Sequence, residues 1–515
     1  MKDFKENKYS YDKPLRFKPI IIYGFFMILQ IILIVLLFTK FARFVDIAVP
    51  IWLGLVFLFI VYLFNKDEDP DIKMSWILVS TLLPLVGILF YLLLHVPGHR
   101  YINKKFDKRR RIENKYKEIK QEVYDELEEV DLAKRTTAEY LNSYGYPLYK
   151  NTETKYLESG EEFFKELFED LQRAEKFIFM EFFVISPGYI LDKLTKILKQ
   201  KAEEGVEIKF LFDGSNEFFL DTNFFQEFKE SGIEVKPFLP VRAILSTIQQ
   251  NRDHRKIVVI DNRISYTGGV NIADEYANIY EKNGHWVDTG IKLVGEGTKS
   301  FTAMFLEMWY LNSDEENYKR YLKDFYSANV DKKSFLVPFG ANPFLDERIG
   351  ENVYIDIINR SKNYVYISTP YLTITNKMLN ALKLASQRGV DVKIVLPHIG
   401  DHKGIPLMAG RSYYLDLIKK GVKIFEYKPG FIHSKIVVSD DFTSVIGTIN
   451  MDYRSFYHHF EDGVLIYERE LAEELKTHWE EIIGKSIEIT EDRYYEFNVV
   501  SRFIGRVLRL FASLM

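Results

Sequence analysis

The 515-residue chain contains no cysteine, which excludes disulfides and thiolate zinc sites and removes the usual clue to redox compartment. It also lacks a charge bias: 69 basic residues against 73 acidic ones give a formal net charge of −4, so the total points to no polyanionic partner. Charge is instead missing locally. Residues 19–39, 47–64 and 74–96 carry no Lys, Arg, Asp or Glu. A buried core helix would keep charges on one face, so all three are read as candidate transmembrane helices, long enough at 1.5 Å per residue for a bilayer of about 30 Å. No small-residue cleavage site follows the first run, so it is not read as a removable leader.

What charge there is near these runs is unevenly placed. HRYINKKFDKRRRIENKYK (99–117) follows the third run, and the positive-inside rule puts it, and everything after it, in the cytoplasm. The acidic loop NKDEDPDIK (65–73) then reads as an outside loop, with the N-terminus outside despite the basic residues among 1–18. Directly after a span, the basic run 100–117 reads as a lipid-binding segment, each Lys or Arg contributing about 1 kcal/mol near an anionic leaflet. Residues 112–135 read as a helical linker.

The rest of the chain is built on one repeated stretch. RDHRKIVVIDNRISYTGGVNIADEYAN (252–278) and FIHSKIVVSDDFTSVIGTINMDYRSF (431–456) both read His-x-Lys-x4-Asp, then Gly and Asn. Ile- and Val-rich runs closed by Asp-Asn or Asp-Asp read as buried strands ending in a turn. On a strand, His254 and Lys256 share one face, as do His433 and Lys435. An imidazole beside an ammonium suits a phosphate. Asp261 and Asp440 complete the motifs on the opposite parity and are expected to hold the turns. Asn271 and Asn450 are amide donors able to complete a phosphate cradle. Upstream of each copy lie an apolar strand, an amphipathic helix ending at Gly205 or Gly389, and a second apolar strand, so the chain is internally duplicated. VPFGANPF (337–344) reads as the crossover between the halves. SRFIGRVLRLFASLM (501–515) reads as a basic amphipathic helix for a membrane surface.

With those residues in view, the chain resembles the phospholipase D superfamily, and HRKIVVID, GGVNIADEY, WVDT, TPYL, RGVDVKIVLP and GFIHSK narrow the resemblance to bacterial cardiolipin synthases, over roughly residues 75–515. Two positions depart from it: Thr373-Ile374-Thr375 after TPYL where many members have Pro-Asp, and His459 where many have Asn. The resemblance implies an α/β fold: a membrane anchor (1–99), a basic juxtamembrane and helical linker (100–135), two pseudo-symmetric lobes (136–330 and 331–500) sharing one active-site cleft, and the C-terminal helix (501–515).

The implied catalytic set is His254, Lys256, Asp261, His433, Lys435 and Asp440, with His254 as nucleophile, His433 as acid and base, and Asn271 and Asn450 on the phosphate. Asp288, 34 residues after His254, and Glu461, 28 after His433, occupy matching places. The resemblance pairs each with the histidine of the opposite half, Glu461 with His254 and Asp288 with His433, to orient the imidazoles. His95, His285, His398 and His478 are assigned no catalytic role. The scheme needs no metal and no cofactor. Its implied substrate is phosphatidylglycerol at the membrane of a bacterial cell, the phosphatidyl group passing to a second phosphatidylglycerol with release of glycerol. Water or another alcohol as acceptor is the alternative, and a nuclease is disfavoured by the apolar N-terminal runs.

Overall fold

The computed structural model describes residues 45–82, 120–240 and 250–514, apart from 219, 221, 312–316, 324, 329–333 and 402–403, with scattered positions between 28 and 39 and between 87 and 92. The expected first span and the basic run 100–117 thus lie outside the described residues, save single positions of the former.

The first half carries β1 (Thr152–Leu157), β2 (Phe177–Phe182), β3 (Glu207–Asp213), β4 (Glu234–Phe238), β5 (Arg252–Asp253), β6 (Ile257–Ile260), β7 (Ile264–Gly268), β8 (His285–Val287) and β9 (Gly290–Gly295). The second carries β10 (Phe335–Ala341), β11 (Tyr364–Ser368), β12 (Leu372–Thr373), β13 (Asp391–Pro397), β14 (Lys423–Tyr427), β15 (Gly430–Ile432), β16 (Ile436–Ser439), β17 (Thr443–Gly447), β18 (Met451–Asp452), β19 (His459–Tyr467) and β20 (Ser486–Glu488). One sheet runs β1-β9-β7-β6-β2-β3-β4, the other β10-β19-β17-β16-β11-β13-β14-β20. Strand for strand the orders match, and β20 is an addition at one edge. In both, a parallel trio (β2, β3, β4; β11, β13, β14) adjoins an antiparallel block.

Local chemistry explains the shared unit. Every residue of β2, FIFMEF, is buried. Ile178, Met180 and Phe182 face a cluster with Leu194 and Leu198, while Phe179 stacks on Phe305 at 4.6 Å from the other side. A strand covered on both faces has no use for polar alternation. Helix Tyr189–Glu203 buries Ile190, Leu191, Leu194, Ile197 and Leu198, the stripe of a one-sided helix. The chain then turns at Gly205, whose φ of +90° lies where a side chain would be strained. Helix Asn376–Gln387, capped by Thr375 on the Met378 N–H, ends before Gly389 at φ +92° in the second half.

Three expectations need correction here. VPFGANPF is not a crossover: Phe335–Ala341 is β10, hydrogen-bonded to β19 along its whole length at a sheet edge, where Pro338 costs no central ladder bond. The His-x-Lys pairs are not within strands; residues 254–256 and 433–435 are the extended links from β5 to β6 and from β15 to β16.

The third concerns the N-terminal segment. No helix among the described residues is long and apolar enough to cross a membrane, which overturns the expected transmembrane helices. Helix Val45–Asn65 has Asp46 and Asn65 at its ends, leaving 47–64 as its uninterrupted apolar stretch, about 27 Å against a core of about 30 Å. Helix Pro70–Leu82 covers only the first part of the third expected span, of which 83–86, 89–90 and 93–96 lie outside the described residues. The acidic turn between them is not an outside loop either. Tyr457 donates to Asp69 (2.6 Å), Tyr453 to Asp71 (2.6 Å), and the Asn376 side chain to Asp71 (2.6 Å), docking the turn on the second lobe. Its acidity supplies acceptors for tyrosine hydroxyls, so it carries no topological message. Helix Val499–Arg509 also differs from its pattern. Its Arg502 and Arg509 fold back onto Tyr494, Tyr495, Tyr413 and Asp416, while Val499, Val500, Phe503 and Leu510 are exposed.

Candidate active site

Each half lends the other a strand. β5 runs parallel beside the start of β19, pairing Arg252 with His459 and Asp253 with Phe460. β8 runs parallel beside β15, ending with Val287 opposite Ile432. Continued by one residue, these registers set His254 against Glu461 and His433 against Asp288. Backbone bonds hold them there: the His254 N–H donates to the Phe460 carbonyl (2.9 Å) and the His433 N–H to the Val287 carbonyl (2.8 Å).

The side chains complete the two crossed contacts. His254 Nδ1 lies 2.8 Å from Glu461 Oε2, and His433 Nδ1 lies 2.6 Å from Asp288 Oδ2. With Nδ1–H given to the carboxylate, the free lone pair of each imidazole is on Nε2. Lys256 Nζ donates to the His254 carbonyl at 2.6 Å, and Lys435 Nζ donates to the His433 carbonyl and stands 2.9 Å from His433 Nδ1. Both lysines therefore curl back over their own histidine.

Asp261 and Asp440 stand away from these groups and do the same backbone work. Asp261, in a turn at φ +55°, accepts the Glu175, Lys176 and Phe177 N–H groups at 2.8 Å. Asp440, at φ +53°, accepts those of Lys362, Asn363 and Tyr364 at 2.7 to 3.0 Å. Each ties a motif strand to the start of β2 or β11. Asn271 is partly committed: its oxygen accepts the Val184 N–H (3.0 Å) and its amide donates to Tyr276 Oη (2.7 Å), leaving one N–H. Asn450 is buried, and its side-chain oxygen has no partner.

Burial sets the electrostatics. Both histidines, both lysines and both carboxylates are at most 7% exposed. Burial drives the His254 imidazole well below its ordinary range, against the pull of Glu461, and takes His433 down to about 4, helped by the Lys435 charge. Burial also lowers Lys256 to about 8 and Lys435 to about 7, although the surrounding carboxylates oppose it. Burial alone would raise Glu461, but His254 beside it holds that carboxyl well below the usual carboxylate range. Asp288 acts on Lys256 and Lys256 acts on Lys435, so charges from both halves share one enclosure. A phosphodiester entering it would favour the charged form of both ammonium groups, against the burial that lowers them.

Several contributors were not legible as motif. Thr448 donates to Glu461 Oε2 at 2.5 Å, while at the matching place in the first half Gly269 leaves the space that Asp288 fills, since a Cβ there would lie 1.9 Å from Asp288 Oδ1. Phe183 packs edge-on to His254 with ring centres 4.8 Å apart, and Tyr276 edge-on to His433 at 5.4 Å. Beneath the first motif Arg255 donates to Glu181 (2.7 Å) in a fully buried pair. His459, noticed in the sequence only as a departure, stands beside His254 with ring centres 5.3 Å apart. Besides that departure, Gly269 and Thr448 carried a signal, as unlike residues at equivalent steps of the repeat.

Two facing His-Lys motifs with crossed carboxylates, on duplicated α/β halves, define a phosphodiester-handling protein of the phospholipase D class. The family described as "Cardiolipin synthase, PLD-like domain" matches residues 167–309 and 354–483, and the "Phospholipase_D-nuclease N-terminal" family matches 54–94. The chain is 30% identical over 459 residues to cardiolipin synthase 2 of Bacillus cereus, covering 88% of each chain. It is 38% identical, also over 459 residues, to an uncharacterized protein of Streptococcus mutans, covering 88% of this chain and 99% of that one. Among solved structures, phosphatidylserine synthase of Haemophilus influenzae shares the fold, with a TM-score of 0.56 at 16% identity over 75% of this chain and 98% of that one. The chain belongs to the cardiolipin synthase family of phospholipase D-like proteins and is a phosphatidyltransferase.

Proposed function

We propose that this enzyme makes cardiolipin by moving the phosphatidyl group of one phosphatidylglycerol onto the terminal hydroxyl of a second, with a phosphohistidine between the two steps. The observation that carries the reading is the pair of crossed His–carboxylate contacts in one buried enclosure. His254 Nε2 attacks phosphorus and the bond to the glycerol oxygen breaks, with His433 giving that oxygen a proton. In the second step His433 takes the proton from the incoming hydroxyl, whose oxygen attacks phosphorus and expels His254. The bound phosphate anion raises His433 from its low resting value, so it can hold the proton it must donate. Lys256, Lys435, Asn450 and the remaining Asn271 N–H face the nonbridging oxygens, where charge builds up in the transition state.

The enzyme meets its lipid at a bacterial membrane surface. The exposed apolar side chains Val499, Val500 and Phe503, and Ile51, Leu53, Phe57 and Leu58 of helix Val45–Asn65, support that placement. The test is to incubate purified full-length enzyme with labelled phosphatidylglycerol and separate the products. Cardiolipin and glycerol in equal amounts are expected; phosphatidic acid with free glycerol would make it a phospholipase D instead. Quenching with denaturant at neutral pH, followed by mass spectrometry, should find the phosphatidyl adduct on His254, and an adduct on His433 would reverse the assignment.

A further inference from the structure

The carboxylate of Glu461 faces two histidines, and only one of them belongs to a motif. Its Oε2 takes the 2.8 Å contact with His254, while its Oε1 faces His459 Nδ1 at 3.5 Å, too long for a good hydrogen bond. Neither His459 Nδ1 nor Glu461 Oε1 has any other hydrogen-bond partner, although both are buried. One ligand atom from each of His254, His459 and Glu461 lies within 4.8 Å of the others. Two imidazoles and one carboxylate in a buried, converging set are the donors that Zn2+ takes in three-ligand sites, and imidazole nitrogen disfavours Mg2+ and Ca2+.

We propose that His254, His459 and Glu461 form a binding site for Zn2+ or a similar transition-metal ion, and that occupation of this site arrests the enzyme. The metal draws Glu461 away from its orienting contact and takes the Nδ1 lone pair of His254, which places the ring proton on Nε2 and leaves no lone pair to attack phosphorus. Each coordinating nitrogen must be unprotonated, so binding weakens in acid. The one unfilled position of a tetrahedral ion takes water. Metal binding by these three side chains does not depend on the reaction assigned above; only the arrest rests on His254 being the nucleophile.

The test uses the full-length enzyme freed of metal with a chelator and titrated with Zn2+ or Co2+. Expected are one Zn2+ per chain, the visible absorption of tetrahedral Co2+, and loss of at least about nine-tenths of turnover, reversed by the chelator. His459→Asn and His459→Gln should each lose the Co2+ absorption and weaken Zn2+ binding at least tenfold, as a direct ligand should outweigh an outer-shell partner at 10- to 100-fold. Their melting temperatures without metal check that they fold. His398→Asn, which breaks a contact with Glu426 outside the cluster, should bind as the wild type does. The proposal is overturned if the wild type takes up no Zn2+, if both His459 variants bind it unchanged, or if bound Zn2+ leaves turnover intact.

Discussion

The two halves of the site solve one problem differently. In the half built on Asp288, the carboxylate fits because Gly269 has no side chain, and it accepts the Thr289 N–H and one imidazole, that of His433. In the half built on Glu461, the matching residue is Thr448, whose hydroxyl donates to the carboxylate, and a second imidazole, His459, stands on the far oxygen. The longer Glu reaches past the threonine; the shorter Asp needs the glycine. Duplication thus preserves the crossed pairing while leaving the surroundings free to diverge.

The sharpest break of the comparison is removal of either imidazole. His254→Ala and His433→Ala are each expected to abolish lipid turnover with the fold retained, read by product analysis and circular dichroism; substantial turnover by either variant would sink the shared site. Next come the orienting carboxylates. Glu461→Gln and Asp288→Asn should slow turnover by up to about 10⁴, the cost of a comparable amide change in a serine-protease triad. They should differ in kind: Glu461→Gln slows appearance of the phosphohistidine in rapid-quench experiments, whereas Asp288→Asn slows proton transfer and shows the larger solvent isotope effect. Gly269→Ala should cost roughly 100-fold or more by pushing Asp288 aside, as small misplacements do, and should also lower the melting temperature because its Cβ meets a buried carboxylate.

Acidity offers a subtler contrast. Lys435, brought by burial to about 7, loses its charge in the free enzyme as pH rises through that value, so kcat/KM should fall above about pH 7. In kcat the same limb should move upward, since bound phosphate restores the ammonium. For stability the sign follows from the unfolded chain. His433 is lowered by burial to about 4, while an unfolded His titrates near 6.5. Between those values the unfolded state takes a proton that the folded site refuses, so stability is full above about 6.5 and falls as pH drops toward 4, by about 3 kcal/mol at most. His433→Asn should flatten that part of a melting-temperature profile, and an unchanged profile would count against a neutral buried imidazole. The smallest effect belongs to Thr448→Val. Glu461 keeps His254 and loses one donor, so turnover should drop only several-fold, about 1 to 2 kcal/mol.

Much of this was legible in the residues. The motif spacing, the Ile/Val runs and the helices stopped at Gly205 and Gly389 were enough to expect duplicated βαβ halves, because strand and helix periodicities are local properties. The apolar N-terminal runs were misread for the same reason. Hydropathy counts side chains along the chain, whereas Asp46 and Asn65 bound the apolar stretch of one helix, and Asp69 and Asp71 beyond it are spent on tyrosine hydroxyls of the second lobe. His459 was visible as an unusual letter, and its nearness to Glu461 is the local i, i+2 spacing of one strand, but its place beside His254 depends on the pairing of β5 with β19 across more than 200 residues.

The residues alone set the chemistry available: two imidazole–ammonium pairs, two amides and two carboxylates at matching places of a repeat, and turns that Asp, Asn and Gly hold at positive φ. Which of them meet was set by the fold. Local periodicity places a side chain on a face of its own element; contacts between halves depend on strand register over long separations, which a sequence of isolated elements leaves open. Two short parallel ribbons exchanged between the lobes settle that register here, putting each histidine against the other half's carboxylate and a third histidine beside the first.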